Sequence, residues 1–137
     1  MSTPPHKRFL GKWVLDPASC KYEQGEAPVS GTYVISESGD DLAFQMSWTD
    51  RSGQDHDAHF QGKPDGIATP FNAPGLADSF SIDMPTPSEL NSSASLNGAL
   101  TMRATRTLID DDTMRIVQTV FLPDGTQPSN RSVYYRD

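Results

Sequence analysis

The sequence predicts an all-β chain, an up-and-down antiparallel barrel of about eight to ten strands opened by one short helical turn. Three observations lead there. Apolar residues after Leu10 recur at period two, the side-chain repeat of a strand. Gly, Pro, Asn, Asp and Ser interrupt these runs at roughly 8–12-residue intervals, as expected where strands are joined by tight turns. Helical periodicity is confined to the first residues. The 137 residues suit one domain, residues 1–137, and a chain of this size buries roughly two-thirds of the surface that it exposes when unfolded.

In chain order, Pro4 to Leu10 can hold a turn or two of helix, with Pro5 suited to a first-turn position. The run "TYVISE" meets "LAFQMSWT" across Ser38-Gly39-Asp40, and Leu42, Phe44, Met46 and Trp48 share one face of the second run. "RSGQ" leads into "DHDAHFQG", and "KPDG" turns that strand into "IATPF". Between residues 70 and 88, Pro70, Pro74, Pro85 and Pro87 predict short edge pieces such as Ser79 to Asp83, because proline cannot donate to a ladder. A regular meander follows. "ELNSSASL" joins "ALTMRATRTLI" through Asn97-Gly98, the strongest hairpin signal in the chain. Asp110-Asp111-Asp112 leads to "TMRIVQTVFL", and Pro123-Asp124-Gly125 leads to "SNRSVYYRD". An arrangement of this kind closes on itself and hides its edges.

Composition narrows the function. Apolar residues make up 35% of the chain, a fraction that suits a small barrel with a partly polar interior. Eighteen acids against 11 Lys and Arg give a net charge of −7, which repels phosphate backbones and anionic membrane, so nucleic acid is not an expected partner. No segment approaches the ~20 apolar residues of a membrane span, and the first residues lack the apolar stretch of a secretory signal. Cys20 stands alone, which rules out an internal disulfide and reads as a packed thiol. The expected location is the cytoplasm.

The stretch "GKWVLDPASCKY" carries a family signal. Gly11-x-Trp13 on a first strand, just after a helical turn, resembles lipocalins and related calycin barrels. With Leu15-Asp16-Pro17-x-Ser19-x-Lys21-Tyr22 it is similar to a group of small bacterial lipocalin-like proteins of unassigned function. The likeness continues at Phe60-x-Gly62-Lys63-Pro64, Ala77-Asp78-Ser79 and Val133-Tyr134-Tyr135-Arg136. The resemblance implies that Trp13 plugs the closed end of the barrel, with Arg136 or Arg131 over its indole. Gly11 would allow close backbone approach beside that ring.

Catalytic and metal motifs are missing from the sequence. His56 and His59, three apart on a strand, point to opposite faces and make a poor chelate. Asp110 to Asp112 lack the ligand spacing of a calcium loop and read as a solvated hairpin tip. Neither a nucleophile elbow nor a phosphate-cradling glycine loop occurs. The expectation is a protein that is not an enzyme, with no metal and no cofactor.

One polar constellation stands out. Register counted from the Asp111 turn sets Ala104 against Gln118 and Arg106 against Ile116. Counting from Pro123-Asp124-Gly125 and its neighbours sets Gln118 against Tyr134, and counting from Asn97-Gly98 sets Glu89 against Arg106. Met102, Ala104, Arg106, Ile116, Gln118, Val120 and Tyr134 then share an inward face. A buried arginine needs an acidic or ligand partner, because an unpaired buried charge is costly. Intracellular fatty-acid-binding barrels close with Arg-x-Tyr gripping a carboxylate. Here Ser132 stands two before Tyr134 and Arg131 is out of step, so that clamp is not reproduced. The leading expectation is a small hydrophobic or amphipathic anion bound inside the barrel. Trp48, Phe44, Met46 and Met102 would line its apolar space, with Arg106, Gln118 and Tyr134 orienting it. The rival is a non-catalytic interaction or structural module with a filled interior. The serine-rich "LNSSAS" strand favours space inside.

Overall fold

The structure is a computed structural model that describes residues 5–73 and 75–137. A single 3-10 turn, Pro5–Phe9, precedes ten strands. They are β1 (Gly11–Tyr22), β2 (Ser30–Ser38), β3 (Asp41–Thr49), β4 (Asp55–Gly62), β5 (Thr69–Ala73), β6 (Ala77–Thr86), β7 (Glu89–Leu96), β8 (Ala99–Asp110), β9 (Thr113–Val120) and β10 (Ser129–Arg136). All pairings are antiparallel and run in the order β4-β3-β2-β1-β10-β9-β8-β7-β6-β5, so the single non-sequential neighbour is β10 against β1. The up-and-down plan and the short opening turn agree with the sequence; Pro4 lies outside the described residues.

Two local features depart from the expectation. The ladder does not close: β4 and β5 are the sheet's two edges. Side chains bridge the gap instead. Phe60 of β4 meets Phe80 of β6 edge-to-face at 6.1 Å, and Gly62 leaves room for the Phe80 ring, which lies 3.1 Å from where a Cβ would sit. In the connection beyond β4, the Gly66 N–H donates to the Ile82 carbonyl at 2.8 Å. The second departure is β6, a ten-residue interior strand rather than a short edge piece. Its prolines do no harm where they fall. Pro70 sits on edge strand β5, and Pro85 sits in the irregular step between Asp83 and Thr86, where the ladder is already broken. Pro74 is outside the described residues.

One end of the barrel is sealed, as the opening motif implies. Trp13 is fully buried, its indole N–H donates to the Phe9 carbonyl at 2.9 Å, and the Arg136 guanidinium lies 4.2 Å over the ring. Arg136 also donates to the carbonyls of Leu10 and Arg8, both at 2.7 Å, and so fastens the 3-10 turn across the end. Gly11 explains itself here. Its φ is +127°, and an added Cβ would lie 3.0 Å from an Arg136 nitrogen. Phe9, Leu90, Leu108 and Met114 complete the seal. At the opposite end inward-facing residues such as Met102 and Gln118 reach solvent, which defines the barrel's mouth.

Candidate functional site

The site grows from a single side chain on the inward face of β8. The register across β8 and β9 pairs Ala104 with Gln118 and Arg106 with Ile116, so Arg106 points into the barrel as expected. It is 2% exposed. Its Nε donates to the Tyr33 hydroxyl at 2.9 Å, one terminal nitrogen to the Ser92 hydroxyl at 3.1 Å, and the other reaches the Leu90 carbonyl at 3.4 Å. Aromatic faces surround the rest: the guanidinium carbon is 4.8 Å from the Phe44 centroid, 5.6 Å from Tyr33 and 5.7 Å from Phe60. A cation held over aromatic rings gains ~0.5–2 kcal/mol, short of the several kcal/mol that desolvating a charge costs.

Among the described residues no carboxylate pairs with Arg106. Glu89, predicted to stand across from it, does not. Thr101 is an extra residue in β8, since Ala94 pairs with Met102 but Ser95 with Leu100. Beyond that bulge Leu90 faces Arg106, and Glu89 faces Thr107 and bonds the Asn91 side-chain amide at 3.1 Å. A one-residue slip moves every side chain to the other face, which is why the acid left the interior.

Tyr33 and Ser92 convert the guanidinium into a cradle. Each hydroxyl accepts from Arg106, and neither donates to another described group. Both O–H protons, together with the guanidinium N–H groups not committed to protein acceptors, form a cluster of donors in search of an acceptor. An apolar cavity of about 80 Å³ is walled by Phe60, Phe71, Phe80, Ser93, Ala94, Met102 and Ala104, and Ser92 links it to Arg106.

The remaining predicted residues are dispersed. Gln118 faces Asn130 rather than Tyr134, because the hairpin is centred on Asp124 itself and not two residues later: the Leu122 N–H donates to the Thr126 carbonyl at 3.0 Å, so the turn is tight. Gln118 is exposed at the mouth, where its amide contacts the Met102 sulfur at 2.9 Å. Tyr134 stays inward, opposite Met114 and Leu15 and edge-on to Tyr33 at 5.7 Å, but one layer nearer the sealed end. Burial raises its phenol pKa, with Tyr22, Tyr33 and Cys20 adding to the rise and Arg106 opposing it. Phe44 is buried and stacks on Phe60 at 4.5 Å, while half-buried Met46 packs beside them. Met102 is 38% exposed at the rim.

Trp48 also sits towards the mouth and stacks on His56 at 5.4 Å. His56 Nε2 is 2.8 Å from Asp50, whose carboxyl is held below its usual range by hydrogen bonds from the Ser52 hydroxyl, then His56, then the Gln54 amide. His56 pairs with inward Trp48 and His59 with outward Gln45, so the two rings do point apart.

The residues missed were Tyr33, Ser92 and Phe60. Tyr33 was within reach, because it shares a face with Ile35 at period two and stands opposite inward Met46. Phe60 follows in the same way from its pairing with Phe44. Ser92 was hidden by the bulge.

Neither a family model nor a curated protein matches the sequence. Solved structures do match its fold. A fatty acid binding protein from Schistosoma mansoni, in complex with arachidonic acid, superimposes with a TM-score of 0.62 at 16% identity, covering 98% of this chain and 99% of that one. Zebrafish ileal bile acid-binding protein, complexed with cholic acid, gives 0.54 at 14% identity over 95% and 99% of the two chains. A redesigned beta barrel gives 0.59 at 13% identity over 97% and 95%. At such identities the likeness defines the fold.

Proposed function

We propose that this chain is a non-enzymatic binder of a small hydrophobic or amphipathic anion. The acid group would face Arg106, Ser92 and Tyr33 and the apolar body would rest against Phe60 and Met102, with Phe44 and Met46 packed behind Phe60. Trp48 and Gln118 would meet what extends to the mouth, and Tyr134 would steady Tyr33 from below. The observation that carries this reading is the buried Arg106 guanidinium with no carboxylate partner among the described residues. An anion would neutralise it, and hydrogen bonds to a charged partner contribute ~1.5–3 kcal/mol each. The ligands of the fatty-acid- and bile-acid-binding structures, both acids, are in keeping with this reading. The reading takes the protein to be cytoplasmic and bacterial, in line with its lone cysteine and with the lipocalin-like first-strand motif.

The test is a titration of Trp fluorescence against hydrophobic carboxylates and their amides. Arg106→Gln is expected to weaken the carboxylate about tenfold or more and leave the amide alone. Equal affinity of wild type and variant for the carboxylate overturns the reading. The small volume of the cavity favours the filled-barrel interaction module as the second reading, and that module then takes precedence.

A further inference from the structure

We infer that the anion accepted beside Arg106 is compact, a carboxylic acid with a single ring or a short branched chain, and that Phe60 sets this limit; the inference rests on the function proposed above. Phe60 stands at the junction of three constraints. It stacks on Phe44 with the planes 13° apart, meets Phe80 edge-on at 82°, and carries the Arg106 guanidinium 5.7 Å from its centroid. The ring therefore lies among the guanidinium, the barrel centre and the gap between β4 and β6.

The space left is small. About 80 Å³ opens beside Ser92, because Ala94, Ala104 and Ser92 set short side chains against the phenylalanine rings. A cavity of ~150 Å³ admits benzene, and pockets for larger ligands run to ~300–1,000 Å³. A short branched acid or a single ring fits with part of its body projecting past Met102, which is 38% exposed at the opening. A long acyl chain does not fit unless an aromatic ring moves. Phe44 is packed in the core: it is 1% exposed and meets Tyr33 edge-on at 6.3 Å. Phe60 is half-buried and borders the gap, so its size decides whether the cavity ends there or runs into the barrel centre.

Calorimetric titration of the full chain with isovalerate, benzoate and decanoate tests this, using wild type, Phe60→Leu, Phe60→Ala and Arg106→Gln, each checked for folding by circular dichroism. Wild type is expected to bind benzoate or isovalerate at least about tenfold more tightly than decanoate. Phe60→Ala is expected to reverse that order, and Phe60→Leu, the variant nearer in volume, to narrow it. Preference of wild type for decanoate, with Arg106→Gln weakening every acid, overturns the size limit and leaves the anion site standing. An unchanged order in both Phe60 variants removes Phe60 from its role. If no acid binds, or if Arg106→Gln changes nothing, the anion site itself fails and the size limit fails with it.

Discussion

Leu90 stands directly opposite Arg106 in the β7–β8 ladder, and its carbonyl lies 3.4 Å from the guanidinium. The acid that precedes Leu90 in the chain, Glu89, points to the other face and bonds Asn91. Among the described residues the charge of Arg106 is thus met by hydroxyls, a carbonyl and ring faces.

It follows that Glu89 contributes nothing to neutralising Arg106. Glu89→Gln keeps a hydrogen-bond acceptor for Asn91 and is expected to change stability by no more than ~0.5 kcal/mol, the range of surface substitutions. Anion affinity is expected to stay as in wild type. A loss above ~2 kcal/mol in a urea titration, the scale of a broken buried ion pair, would show that Glu89 reaches Arg106 in solution.

Trp13 is expected to carry much of the stability of the sealed end. It is fully buried under Arg136, so Trp13→Ala should cost ~3–5 kcal/mol. Arg136→Ala should cost less but still measurably, since it removes the cation over the indole and the donors to the Leu10 and Arg8 carbonyls. Denaturant midpoints for the two variants check this. A Trp13→Ala loss under ~1 kcal/mol contradicts it.

Alkaline pH should loosen the barrel through Tyr134. Its pKa is raised in the folded state, first by burial, while the unfolded value is about 10. Between those two values the unfolded chain has released the proton and the folded one retains it. The contribution of Tyr134 to stability is therefore complete below about pH 10 and is lost as pH rises further. Tyr134→Phe removes the ionisation, so its stability should fall less steeply than that of wild type above about pH 10. Parallel curves for the two proteins in urea titrations across that range contradict the assignment.

Period two along "LAFQMSWT" and "TMRIVQTVFL", the Asn97-Gly98 turn and the Gly-x-Trp opening are local signals, and each is realised where the sequence puts it. Strand pattern and hairpin order depend on neighbouring residues, so they are legible in one dimension. The inward position of Arg106 belongs with them, because the tight Asp111 turn leaves its register with Ile116 little freedom.

The company that Arg106 keeps was decided by the tertiary structure. One extra residue, Thr101, reverses the facing of β7 and replaces Glu89 with Leu90. The tight turn centred on Asp124 slides Tyr134 along the barrel by an even step relative to the expected register, so it keeps its face but loses Gln118. Tyr33 approaches from 73 residues away in sequence, and no pattern along the chain encodes that contact. The sheet's closure is of the same kind: Phe60 and Phe80 meet across a gap that the strand ladder leaves open, as curvature of the whole sheet brings them together. By itself, then, the sequence determined the strands, their order and the sealed end. The partners of the buried charge and the size of the space beside it were left to bulges, hairpin register and sheet curvature, which a period-two pattern does not record.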